Sequence, residues 1–143
     1  MNVAQILKQK GREVLTTAPH HNLAHAAEML ARRKVGAVVI ADAAGKVLGI
    51  LSERDIVRAV GLHGGDALPE PVSKHMTANP TTVGEAADID ELMQVMTQGR
   101  FRHLPVVENG RLVGIVSIGD VVKHHVDVLH QERDSLREYI ASA

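Results

Sequence analysis

Gly49–Arg58, GILSERDIVR, returns as Gly114–Lys123, GIVSIGDVVK, and this return makes the chain an internal tandem duplication. Gly49 matches Gly114, Ser52 matches Ser117 and Asp55 matches Asp120, with aliphatic residues between them and Lys123 in the place of Arg58. One unit was copied, and its Ser-x-x-Asp element was copied with it. A chain of 143 residues can bury roughly two-thirds of the surface its unfolded form exposes, so it holds a real core. Half of it is small for an independent fold. The two repeats are therefore expected to share one core as a single pseudo-symmetric module.

Working outward from the repeat, periodicity sets the elements. Val3–Lys10 has a helical pattern stopped by Gly11, and Glu13–Thr17 is extended up to Pro19. Asn22–Lys34 places Leu23, Ala26, Ala27 and Leu30 on one helical face. Ala37–Ala41 and Val47–Leu51 are apolar runs around a turn at Asp42–Gly45, which predicts a hairpin. Ser52 opens a helix through Ile56, Val57 and Val60 that Gly61 and Gly64-Gly65 terminate. The order then repeats: Thr81–Val83 extended, Asp88–Gln98 helical, His103–Val107 and Arg111–Ser117 strands, Ile118 onward helical. The second hairpin turn, Glu108-Asn109-Gly110, reads as two residues shorter than the first.

Each unit is thus β-α-β-β-α, an α/β (α+β) arrangement with helices over one side of a small sheet. Residues 1–68 form the first repeat with an N-terminal helix, 69–75, with Pro69 and Pro71, the linker, and 76–143 the second repeat. The last helix is long, because Val121, Val122, Val126, Leu129 and Leu136 continue an apolar stripe. It either folds back on its own core or meets a second copy of itself.

Composition excludes several classes. Sixteen Lys plus Arg stand against seventeen Asp plus Glu, with no basic stripe, and Phe101 and Tyr139 are the only aromatics, so a nucleic-acid groove is not expected. No cysteine is present, which removes disulfides, thiolate metal sites and a cysteine nucleophile. The start, MNVAQILKQKG, lacks the apolar stretch of a secretory signal, and no window approaches 18 uninterrupted apolar residues. A soluble cytoplasmic protein without membrane contact is expected. His21 and His25 stand at i,i+4, but no HExxH, GxSxG, P-loop or GxGxxG occurs, so neither a metal centre nor catalysis is expected.

Ser52-Glu53-Arg54-Asp55 and Ser117-Ile118-Gly119-Asp120 each follow a strand and open a helix. As capping boxes they only close the helix start, Ser accepting a backbone N–H and Asp reaching back to the cap. The same geometry suits a ligand, since free N–H groups and the dipole favour an anion and a carboxylate can take both ribose hydroxyls. Both readings stay open. Arg102-His103-Leu104-Pro105 adds a charged fork suited to phosphate and a second donor, or two solvated side chains at a strand edge.

These elements together resemble a pair of CBS domains, the regulatory module named after cystathionine β-synthase. The resemblance covers about Gly11 to Lys123. It rests on the two GhhSxxD motifs (h apolar), on ThrAlaPro at Thr17–Pro19, on MetThrAlaAsnPro at Met76–Pro80 and on HisLeuProValVal at His103–Val107. It implies binding of AMP, ATP or NAD(H) as a regulatory signal between the repeats, a non-enzymatic role and a homodimer. An effector protein would be the regulated partner; the alternative is an interaction module with vestigial sites. By the resemblance Asp55 and Asp120 hold ribose hydroxyls, and Ser52 and Ser117 sit by sugar or phosphate. Thr17, Ala18 and Pro19 would line the Asp120 site together with Ile118 and Pro105, and Arg102 and His103 would meet phosphate there. Asn79 and Pro80 would line the Asp55 site with Arg54. Two departures mark the chain: Val35-Gly36 leaves the first unit without the charged pair, which argues against phosphate at the Asp55 site, and Gly119 stands where Arg54 would.

Overall fold

The computed structural model describes residues 1–142. Helix α1 (Val3–Lys10) is followed by β1 (Thr16–Thr17), α2 (Leu23–Arg33), β2 (Ala37–Ala41), β3 (Val47–Ser52) and α3 (Glu53–His63). Short 3₁₀ turns at Gly64–Ala67 and Val72–Lys74 lead to β4 (Thr77–Ala78), α4 (Ile89–Gly99), β5 (His103–Glu108), β6 (Arg111–Ser117) and α5 (Ile118–Ser142). The first sheet has the order β1-β2-β3-β4, parallel between β1 and β2 and antiparallel elsewhere; the second pairs β5 with β6. The expected strand at Thr81–Val83 reduces to one parallel bridge from Val83 to Val106, closed by backbone bonds from Val83 N–H to Pro105 and from Val107 N–H to Val83.

The duplication is visible in the caps. Asn22 and Asp88 each accept a backbone N–H at the starts of α2 and α4, and Lys34 and Arg100 end those helices in the left-handed region, at φ 53° and 57°. Ala37 pairs with Ser52, and His103 with Ser117, so the second hairpin is one residue shorter from pair to pair rather than two. Gly61 lies inside α3, which ends only at Gly64 (φ 65°). A glycine with φ below zero costs a helix interior little compared with breaking its hydrogen-bond ladder, whereas Gly64 adopts a backbone that favours glycine.

The buried apolar residues form two clusters and not the single shared core expected. Leu23, Ala26, Leu30, Val38, Ile40 and Leu51 pack with Ala67 and Val72. Leu92, Met96, Leu104, Val106, Val116 and Val121 pack with Val3, Ile6 and Leu7 of α1. A β-hairpin covered by two short helices cannot close alone, so each unit recruits a segment from outside its own β-α-β-β-α run. The N-terminal helix, adjacent in sequence to the first repeat, completes the second. The stretch read as a linker is built into the first unit: Leu23 and Ala24 donate to Glu70 and Leu68, and Val72 donates to the His21 carbonyl.

The duplicated glycine explains where these recruited segments dock. A Cβ on Gly49 would lie 2.9 Å from Cγ of Met76, and one on Gly114 would lie 2.7 Å from Cδ2 of Leu7. Both strands leave a Cβ-sized gap into which an aliphatic side chain from the neighbouring segment presses.

Only the start of α5 joins a core, through Val121 and His124. The helix then runs on without folding back, with Val122, Val126, Leu129 and Leu136 exposed.

Candidate functional site

Where β3 and β6 leave their sheets, the two Ser-x-x-Asp elements form the same capping arrangement. Ser52 N–H and Oγ–H donate to Oδ2 of Asp55 (2.8 and 3.1 Å), and Asp55 N–H donates to Ser52 Oγ (3.3 Å). Ser117 N–H donates to Oδ2 of Asp120 (2.9 Å), and Asp120 N–H to Ser117 Oγ (3.1 Å). These bonds fall on Oδ2 of each carboxylate. The first helical N–H is also spoken for, since Glu53 donates to the Gly36 carbonyl (2.9 Å) and Ile118 to the Arg102 carbonyl (2.8 Å). Helix-start amides are therefore scarcer than the motif suggests. Side chains must carry most of any anion recognition here.

Around the first element lies a cavity of about 250 Å³ built from both repeats. The end of β3 and the first turns of α3 contribute Ile50, Ser52, Glu53, Arg54, Asp55 and Arg58; β4 contributes Thr77; the turn from α4 into β5 contributes Arg100, Phe101, Arg102 and His103. Arg54 and Arg58 stand one turn apart on the same helix face. Arg100 is the left-handed cap of α4, which turns the chain so that the next three residues face α3. Gly36 keeps a place for the imidazole: a Cβ there would sit 3.3 Å from Cε1 of His103 and 3.7 Å from Oε1 of Glu53.

Four arginines, Arg54, Arg58, Arg100 and Arg102, thus line one cavity with Glu53 and Asp55. Among the described residues none of the four joins an ion pair. Unpaired guanidinium groups lining a shared concavity favour an anion, and their planar forks suit phosphate or carboxylate. His103 is held below its ordinary pKa, first by burial and next by the nearby charge of Lys10 and then Arg102, against the opposing pull of Glu53 and Asp120. On balance these influences favour its neutral form, a donor and acceptor rather than a fifth charge.

The second element is differently surrounded. Lys10, at the end of α1, places Nζ 2.5 Å from Oδ2 of Asp120 and 2.9 Å from the Ile115 carbonyl. Burial alone would raise the Asp120 carboxyl, but the Lys10 contact and the Ser117 hydrogen bonds outweigh it and hold its pKa below the usual value. Thr17 is buried, with Oγ1 2.7 Å from Nδ1 of His21, and Ala18 and Pro19 accept from the backbone of His21 and Ser73.

Arg102 and His103, grouped with Asp120 from the sequence, line the Asp55 cavity, and Arg102 with Arg54, Arg58 and Arg100 supplies the cations that Val35-Gly36 lacks. Thr77 lines it, whereas Asn79, in the left-handed region at φ 48°, is absent from its lining and bonds its N–H to the Leu48 carbonyl; Pro80 is absent from the lining as well. Pro105 is buried in β5, and Ile118 is largely exposed at the start of α5. Arg58, Arg100, Thr77 and Phe101 also line the cavity and are not among the candidates the sequence points to. Arg58 lies inside the repeated segment one turn after Arg54, and that spacing was the available signal. His20, His21 and His25 stack edge to face, at centroid distances of 4.7 and 4.8 Å. Among the described residues no cluster of three or more His, Asp or Glu side chains is placed to hold a metal, and no helix is long and apolar enough to cross a membrane.

The CBS domain pattern matches the chain twice, over residues 3–62 and 72–127. A 17.7 kDa protein of Acidianus ambivalens is 36% identical over 127 residues, which cover 88% of this chain and 74% of that protein. The CBS domain-containing protein CBSCBSPB5 of Arabidopsis thaliana is 39% identical over 106 residues, 74% of this chain but only 19% of its own length. Among solved structures, the CBS-domain containing protein ATU1752 of Agrobacterium tumefaciens superposes with a TM-score of 0.84 at 50% identity, covering 87% of this chain and 99% of the other. The CBS domain protein PAE2072 of Pyrobaculum aerophilum, a complex with AMP, superposes with a TM-score of 0.75 at 28% identity, covering 84% and 89%.

Proposed function

The chain belongs to the CBS-domain family, and from that premise we propose that it is a regulatory module whose Asp55 cavity binds an anionic adenine nucleotide, AMP, ATP or NAD(H), as a signal. The observation that carries this reading is the convergence of four unpaired arginines with a helix-start aspartate in one cavity between the repeats. In the proposed pose phosphate lies on the arginine forks, and Oδ1 of Asp55 takes the ribose hydroxyls while Oδ2 keeps the cap. Ile50 and Phe101 supply the apolar wall for the base. The complex of the Pyrobaculum relative with AMP supports the ligand class. The module acts in the cytoplasm as a homodimer, catalyses nothing itself and passes the bound state to an effector protein.

Calorimetric titration of AMP and adenosine into the purified chain tests this. AMP is expected to bind and adenosine to bind at least roughly tenfold more weakly, a difference of about 1.4 kcal/mol assigned to the arginines. Arg102→Ala and Asp55→Ala should each weaken AMP by a similar factor, and added salt should weaken AMP but not adenosine. Equal affinity for AMP and adenosine would remove the arginines from the site. If AMP, ATP and NAD all fail to bind, the cavity is vestigial and the interaction-module alternative stands.

A further inference from the structure

We infer that Lys10 is a built-in occupant of the Asp120 position, so that each chain binds one nucleotide, in the Asp55 cavity. This rests on the functional reading above and adds which of the two repeated elements operates and what disables the other.

The two recruited segments dock in equivalent ways. Leu7 presses onto Gly114 as Met76 presses onto Gly49. After Met76 the chain continues as strand β4, with uncharged Thr77 and Ala78, and Thr77 becomes part of the open cavity wall. After Leu7 the chain continues as helix, and three residues on, the same helical face delivers Lys10. Its ammonium group takes Oδ2 of Asp120 and the Ile115 carbonyl together, at 2.5 and 2.9 Å. A lysine normally leaves its head in water; this side chain is only 28% exposed and its partner carboxylate 23%.

The helix cannot easily withdraw. Val3, Ile6 and Leu7 are fully buried, the Asn2 and Gln5 side chains close a capping box at its start, and Val3 and Ala4 donate to the carbonyls of Ala87 and Glu85. Lys10 is thus presented by a fixed element, not by a loose terminus. The electrostatics of the two positions follow. Around Asp55 the cations are guanidinium groups without acidic partners; at Asp120 the cation is already paired, and Gly119 and Lys123 stand where Arg54 and Arg58 stand in the first unit. Lys10 shares Oδ2 of Asp120 with the capping bond and neutralises the carboxylate, so the remaining oxygen, Oδ1, is a weaker acceptor for ribose hydroxyls than Oδ1 of Asp55, which is unpaired among the described residues.

AMP stoichiometry by calorimetry on the full chain tests the assignment. The unmodified chain should take up one AMP per chain, and Asp55→Ala should take up none. Lys10→Met keeps the aliphatic stem and removes the charge, and should raise the count to two; Lys10→Arg should leave it at one. The double variant Lys10→Met/Asp55→Ala should retain one AMP, now at the Asp120 position. Two AMP per unmodified chain, or one per folded Lys10→Met chain, would overturn the inference. Should Lys10→Met fail to fold, acetylation of Lys10 by an amine-reactive reagent decides: slow modification that AMP does not change supports the occupant, and modification accelerated by AMP shows that the nucleotide displaces it. If the unmodified chain binds no AMP, the functional reading is what has failed, and Lys10→Met then speaks alone: uptake of AMP keeps the role of Lys10, and no uptake ends it.

Discussion

Ser52 and Ser117 perform the same local task, yet one residue at each margin makes their sites chemically unlike: His103 over the first and Lys10 on the second. His103 carries a consequence for stability. Its folded pKa lies below the ordinary 6.5 because burial and the Lys10 charge disfavour the imidazolium. Just below that pH the unfolded chain binds more protons than the folded one, so stability rises with pH through the window and falls as pH drops from 6.5 toward the folded value. Asp120 acts at lower pH: with its carboxyl held below 3.8, its contribution is present above that value and is lost as pH falls through the depressed one. Urea denaturation between about pH 7 and pH 5 should therefore show a loss of stability that His103→Gln reduces. Identical pH profiles for the two proteins would show that His103 does not titrate in this environment. From sequence, Arg102 and His103 could be singled out as candidate phosphate-binding residues, because an invariably charged fork beside a donor at a strand edge is chemically distinctive. By the resemblance they are grouped with Asp120, whereas in the structure both line the cavity at Asp55. Which aspartate they face depends on how the turn after Arg100 crosses to the other repeat, and no spacing encodes that.

At the level of elements, the β-α-β-β-α order was legible because hairpins, caps and helical stripes are local, and because duplication let each half check the other. What escaped was the exchange of segments. An amphipathic pattern over Val3–Lys10 says that one face is buried but is silent about which core buries it. Likewise Pro69 and Pro71 mark a turn-rich stretch without revealing that Ala67 and Val72 are fully buried. The exchange yields a sharp expectation. Val3, Ile6 and Leu7 are at most 1% exposed, and burying each is worth about 1.5–3 kcal/mol, together a large part of the roughly 5–15 kcal/mol that holds a domain folded. Deleting residues 1–10 should therefore abolish amide-exchange protection in α4, β5 and β6, elements far along the chain, while β2, β3 and α2 keep theirs. Mass spectrometry of exchanged peptides reads this directly. Protection lost evenly across both units would show that the two clusters unfold as one; protection lost nowhere would show that α1 contributes little to the second.

For the whole molecule the unresolved demand is the apolar surface that a single chain leaves in water. Helix α5 has 25 residues, about 37 Å of helix, and its buried residues, Val121 and His124, both lie near its start. On the open side of the helix Val122, Val126, Leu129, Leu136 and Ile140 are 40–65% exposed and follow a 4-3-7-4 spacing. Arg133 fills the one missing position of what is otherwise a continuous heptad seam, and its guanidinium pairs sideways with Asp134. Seams of that period are satisfied by another helix of the same kind, since an alternation of three and four residues keeps one stripe facing a partner along its length. Val57, the counterpart of Val122 in the first repeat, is 70% exposed as well, and Val60, three residues on, is 37% exposed, so the first unit offers a related though shorter face. Two copies joined through α5 would leave the Asp55 cavity free, because its lining comes from Gly36, the end of β3 with the start of α3, β4 and the turn into β5, and none of it from α5. Sedimentation of the intact chain should accordingly show a dimer at micromolar concentration, and Val126→Glu or Leu129→Glu, which places a charge in the seam, should shift it toward monomer by at least tenfold in dissociation constant, about 1.4 kcal/mol. AMP binding should survive the same substitutions. A monomeric wild type, or a dimer indifferent to both charges, would assign the exposed stripe to a different partner, whereas loss of AMP binding along with the dimer would mean that the cavity's arginines are held in place across the subunit interface.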